Sequence, residues 1–170
     1  TVAVAGLGFG VVVGGVEVGV PAVAAEAGSR ILGGILISAW SVVSVLAGLV
    51  YATRPWPRPL HLRLPVLLGT FGVLVATMAA AGTSLVGLTI VMLVAGVVIT
   101  PQVTAQSLAL EVATPAGTAT EAFGWVITAI TLGVAAGQST TGWLVERAGP
   151  SAAFLAGGVA GVLLAVVLWV

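Results

Sequence analysis

Apolar residues run through this chain in six long blocks, at about residues 2–25, 31–52, 64–81, 85–112, 121–145 and 152–170, and polar positions collect between them. At ~1.5 Å rise per residue, such a block crosses a ~30 Å hydrocarbon layer as an α-helix, and a soluble domain could not bury six of them. The pattern predicts an all-α membrane protein with six transmembrane helices. The connections punctuate it. Glu26-Ala27-Gly28-Ser29-Arg30 has room only for an antiparallel hairpin. Gly82-Thr83-Ser84 and Gly149-Pro150-Ser151 are turn sequences, and Thr120 stands as an N-cap with Glu121 favourable in the turn after it.

The one substantial loop, residues 53–63, holds Arg54, Arg58 and Arg63, three of the five arginines, with no acid and with proline at 55, 57 and 59. Acid-free basic clustering places this loop on the cytoplasmic side, and alternation then puts the turns near Glu26 and Arg147 outside. Tyr51, Trp56, Trp125, Trp143 and Trp169 fall near block ends, where amphipathic rings settle at the headgroup level. Trp40 lies mid-block, where helix packing and a cavity-facing ring are both open readings.

Composition removes several function classes. Charged residues make up 6% of the chain and the formal net charge is zero, with no Lys and no Asp, so there is no basic field to attract nucleic acid. Cysteine is absent and His61 is the only histidine. Disulfides, thiolate zinc sites and two-histidine chemistry are therefore out, and no metal, cofactor or enzymatic activity is expected. The opening Gly6-Leu7-Gly8-Phe9-Gly10 imitates a dinucleotide fingerprint but has Val11 where G-x-G-x-x-G needs its third glycine. The chain begins and ends inside apolar runs, which reads as a piece of something longer; its opening run is too long for a signal peptide. Lysine-free, Ala/Val/Gly-rich usage points to a high-GC bacterial genome and a multi-pass protein of the cell membrane.

The candidate chemistry is the polar minority at depth. Glu17 sits about four residues past the midpoint of the first block. A carboxylate there costs ~2.5–3.5 kcal/mol on the insertion scale, so it should face the bundle interior or a wet cavity and is a candidate for proton or substrate handling. Pro21 follows one turn later and, like Pro101 below, is expected to break its helix. In the fourth block, residues 100–106 carry Thr100, Pro101, Gln102, Thr104 and Gln106. The glutamines share a face at i,i+4, and Pro101 frees a carbonyl one turn back. Helix breaks with amides at depth are where transporters bind solutes, although a structural kink is an equal account. Gln138 in the fifth block, and Ser38, Ser41 and Ser44 around Trp40 in the second, complete the set; hydroxyls can also satisfy themselves on their own helix. Blocks three and six have no ionisable or amide side chain at depth and are expected to face lipid.

Blocks one and four each combine a costly polar residue with a proline, two and five have hydroxyl-rich middles, and three and six are plain. This predicts two three-helix repeats, inverted because an odd number of crossings separates equivalent positions. Glycines four apart (6, 10 and 14; 133 and 137; 157 and 161) predict close helix packing.

The basic loop between the second and third helices, Gly142-Trp143-Leu144-Val145-Glu146-Arg147-Ala148-Gly149 as a form of G-x-x-x-[DE]-R-x-G, the run GVEVGVPAVAAE at 15–26 and Thr120-Glu121-Ala122-Phe123-Gly124-Trp125 together resemble the major facilitator superfamily. Within it, the chain is similar to the carboxy-terminal half of bacterial drug or sugar exporters. The resemblance spans essentially the whole chain and implies helices seven to twelve of a twelve-helix alternating-access transporter. Its partners would be the lipid bilayer, a small-molecule substrate, protons and a missing amino-terminal six-helix half. It also implies a cavity lined by segments one, two, four and five. Two departures stand out: Ala52 occupies the place of the family's cytoplasmic acid, and GWLVERAG falls on the predicted outer side. The competing expectation is a non-transporting membrane subunit for assembly or anchoring.

Overall fold

The computed structural model describes residues 1–53, 59–82, 84–115 and 117–169. Five helices follow one another: α1 (Val2–Glu26), α2 (Arg30–Thr53), α3 (Leu60–Ala81), α4 (Leu85–Ala113) and α5 (Ala119–Trp169). All five are long and apolar enough to cross a membrane, and among the described residues there is no strand. Large apolar side chains are exposed along every helix, including Ile35, Val42, Val73, Ile90, Ile127 and Leu163. On a water-soluble surface these would be a liability; against acyl chains they are the expected covering.

Where six separate segments are predicted, five helices are found, and the difference lies at one residue, where α5 is kinked. α5 is 51 residues long, and Gly149 inside it has φ 82° and ψ 170°, a region that only glycine enters without strain. Pro150 follows, at the first position of the next helical arm, where its missing N–H costs nothing. The two arms run in opposite directions along α1. Gly6, Gly10 and Gly14 meet, in order, Val126 and Ile130, Ile130 and Val134, and Val134 and Gln138 of the first arm. Gly8 meets Leu164 and Gly19 meets Phe154, so the second arm descends as α1 ascends.

α1 is the most buried span and packs chiefly along α5. In a bilayer there is no hydrophobic drive between helices, so close packing of small residues supplies the attraction. The glycine stripes do this by bringing backbone onto backbone. A Cβ on Gly10 would fall on the Ile130 carbonyl, one on Gly133 on the Leu7 carbonyl and one on Gly137 on the Val11 carbonyl. α3 meets the second arm of α5 in the same way, with Gly72 against Gly158 and Val162. Around these seams Val12, Val16, Val20, Leu68, Phe71, Val75, Met78, Met92 and Phe154 form the core, with the Phe9 and Phe71 rings 5.8 Å apart between centroids.

Several expectations are corrected. Pro21 and Pro101 do not break their helices; both lie inside continuous ones. Each withdraws a single hydrogen bond, at the carbonyls of Glu17 and Val97, and the adjoining turns carry the helix through. Thr120 is not an N-cap but lies in the first turn of α5, which begins at Ala119. α3 starts at Leu60, so Arg63 belongs to a helix rather than to the basic loop; Arg54 and Arg58 lie outside the described residues. Exposure does not single out segments three and six as the lipid-facing ones. α3 buries a full face from Leu64 to Met78, whereas α2 buries only Gly33, Trp40 and Ser44 and is the most peripheral helix.

Candidate functional site

Among the described residues, side-chain hydrogen bonds cross between helices at several seams, and at two of these a predicted site residue pairs with another side chain. On the first, Gln138 Nε2 of α5 donates to Glu17 Oε2 of α1 at 2.9 Å. Gly14 makes this possible: a Cβ there would lie 3.0 Å from the Gln138 backbone nitrogen, so the two helices approach closely enough for the side chains beyond to meet. Both Glu17 and Gln138 are exposed. Of the two environments predicted for Glu17, the bundle interior is therefore not the one observed.

On the second seam, the Ser44 and Thr100 hydroxyls lie 2.7 Å apart and join α2 to α4. Gly48, one turn along α2, packs on the Thr100 side chain. Ser38 and Ser41 donate to the carbonyls of Gly34 and Ile37 in their own helix, as hydroxyls in apolar helices commonly do, so only Ser44 of the three reaches a neighbour. Trp40 is 5% exposed, with its indole against Gly96 of α4 and no partner for Nε1. Its position is that of a packing residue in the α2–α4 seam.

The amides of α4 turn inward. Gln102 is fully buried, and neither its Oε1 nor its Nε2 has a hydrogen-bond partner. Gln106 is 3% exposed; its Nε2 donates to the Val2 carbonyl at 3.4 Å, and its Oε1 has no partner. Buried polar atoms in folded proteins are nearly always paired, so three unpartnered amide atoms within one helical turn mark an unusual place.

The predicted residues thus fall into three groups rather than one: Glu17 with Gln138, Trp40 and Thr100 in the α2–α4 seam, and Gln102 with Gln106. Gln106 lies level with Val2, at the start of α1. Glu17 is fifteen residues further along that helix, ~22 Å at 1.5 Å per residue. The surface pair and the buried amides occupy different depths.

Arg63, at the start of α3, reaches the Tyr51 hydroxyl of α2 at 3.5 Å. Arg147 lies over the Trp143 ring, 4.5 Å from its centroid, one turn apart on α5. No cluster of three or more His, Cys, Asp or Glu able to hold a metal occurs among the described residues.

One feature absent from the sequence reading is a cleft of about 210 Å³ between α4 and the first arm of α5, lined by Val103, Gln106, Ser107, Phe123, Val126 and Ile127 among others. Only Gln106 was visible as a candidate beforehand. The other lining residues are apolar or small, and nothing in their spacing announces that two helices separated by a loop will stand apart there. Compared with protein-family models, curated proteins and solved structures, the chain matches none.

Proposed function

We propose that this chain is half of an alternating-access transporter that moves small organic molecules out of a bacterial cell in exchange for protons. Glu17 would be the proton- or cation-contacting group of this half. The observation that carries the reading is the Glu17–Gln138 pair: a carboxylate deep in an apolar helix, on an exposed face, hydrogen-bonded across a seam. Facing acyl chains, that group would cost ~2.5–3.5 kcal/mol or more. The cost falls away if the face borders a wet cavity closed by a second helical unit.

The pairing of helices supports the same reading. Counting the arms of α5 as segments five and six, segment one packs on five and segment four on two, and each seam carries one polar pair. Two inverted three-segment repeats would exchange these contacts. The resemblance of GWLVERAG and GVEVGVPAVAAE to the major facilitator superfamily points the same way. Glu17, Thr100 and Gln106 would border the solute route, with Gln138 holding Glu17. No arginine lies within the apolar blocks at depth, so neutral or cationic solutes fit better than anions.

The test is pH-driven uptake of ethidium, a cationic probe, and of a neutral hexose into inverted vesicles containing the full-length protein. Glu17→Gln should abolish the response of uptake to a pH gradient while leaving the protein folded and inserted. Unchanged coupling would remove the role assigned to Glu17 and favour a non-transporting membrane subunit.

A further inference from the structure

The α4–α5 cleft has a chemical polarity of its own. The Val2 carbonyl can only accept, so the nitrogen end of the Gln106 amide must face it, and this decides which way round the amide sits. Gly6 holds that end in place, since a Cβ there would lie 2.6 Å from Nε2. What Gln106 has left is an acceptor, Oε1, buried and without a partner, on a side chain that lines the cleft. The rest of the lining is apolar apart from Ser107, and the Phe123 ring stands at it, 37% exposed. No ionisable side chain occurs among the described lining residues.

We propose that this cleft binds a neutral, ring-sized apolar molecule that donates one N–H or O–H hydrogen bond to Gln106 Oε1. Each part of that description follows from one observation. The volume, about 210 Å³, is below the ~300–1,000 Å³ of sites for drug-sized ligands and suits a single ring system. The unpartnered acceptor asks for a donor. A charged ligand would give up hydration to a lining that carries no counter-charge among its described residues, so a neutral one fits better. As a station on the solute route the site rests on the transport reading; its occupancy is measurable without flux.

Indole and 1-methylindole are suitable probes, because they share a ring and differ in the one donor. With 4-fluorophenylalanine at position 123 of the full-length protein in nanodiscs, indole should shift the ¹⁹F resonance saturably. 1-Methylindole should bind about tenfold more weakly, the worth of one hydrogen bond to a buried acceptor. Gln106→Leu should bring indole down to the level of 1-methylindole. If that variant fails to insert, Ile127→Phe, which fills the cleft and leaves the bond to Val2 intact, should abolish the saturable shift. Equal affinity for the two probes, or a shift that rises linearly as for partition into lipid, would overturn the proposal. Saturable, donor-dependent binding without ethidium or hexose flux would leave the site standing and sink the transport reading; Glu17-dependent flux without such binding would do the reverse.

Discussion

Gln102 is the sharpest point at which the structure can be tested. It is fully buried on α4, with both amide atoms unpartnered. Each unsatisfied buried polar atom costs ~1–3 kcal/mol. Gln102→Met removes both while nearly conserving length and volume, and methionine adapts to irregular surroundings. The two costs do not simply add, because helices separated within the membrane also find partners for their polar groups. A net stabilisation of ~1–3 kcal/mol is expected, or ~2–12 °C in midpoint at ~2–4 °C per kcal/mol for a chain of this size.

Reversible unfolding in bicelles, followed by tryptophan fluorescence, measures this directly. A destabilisation of more than ~1 kcal/mol would refute the reasoning, since it would mean that the amide is bonded in the membrane, to a held water or to a neighbouring helix. Measuring ethidium flux on the same variant separates two reasons for keeping a costly residue. A protein that is more stable and transports less retains Gln102 for function. A protein that is more stable and transports normally carries it without functional return.

Glycine contacts and one hydroxyl pair set further expected outcomes. Gly10→Ala should cost ~2–3 kcal/mol in the same assay, because the new Cβ would fall on the Ile130 carbonyl and the α1–α5 seam would have to open; Gly34→Ala, with nothing within 4 Å, should instead gain up to ~1 kcal/mol from helix propensity. Gly149→Ala should cost ~1–3 kcal/mol, since its φ of 82° and ψ of 170° are open in practice only to glycine, and equal stability would mean that the bend can form elsewhere. A double-mutant cycle of Ser44→Ala with Thr100→Val should give a coupling of ~0.6 kcal/mol, the usual worth of an interhelical hydroxyl bond in a membrane.

The apolar blocks were legible because helix length and hydropathy are local properties, readable residue by residue. Glycines four apart likewise announced close packing along α1 and the first arm of α5; in the second arm Gly157 meets nothing within 4 Å, and Gly158 and Gly161 make the contacts instead. What sat opposite each glycine was not readable: that Gly10 lies on the Ile130 carbonyl depends on a pairing across more than a hundred residues. Distance in sequence likewise hid the bond from Gln106 to Val2, 104 residues apart, and the Ser44–Thr100 pair, 56 apart. Prolines misled for a different reason. Pro21 and Pro101 each delete one hydrogen bond, and reading them as helix breaks neglected how many bonds remain in a helix of 25 or 29 residues. Gly149, which does interrupt the helix, looked like an ordinary turn residue.

Glu17 is expected inside the bundle or beside a wet cavity; it is exposed and paired with Gln138, and on the proposed reading that face borders the cavity. α1 then carries polar stations at two levels: Val2 with Gln106 at one, Glu17 with Gln138 at the other. The exposed side chains of α1 between them, Ala3, Val4 and Leu7, are apolar. On the proposed reading, a solute passing from one level to the other slides along an apolar wall and exchanges hydrogen-bond partners only at the ends. That favours molecules with an apolar body and few polar groups over sugars, whose many hydroxyls would lose hydration over the whole stretch without replacement. On that reading the separation of Gln106 from Glu17 along α1 would also keep the two from competing for one occupant, so that proton and solute need not displace each other directly.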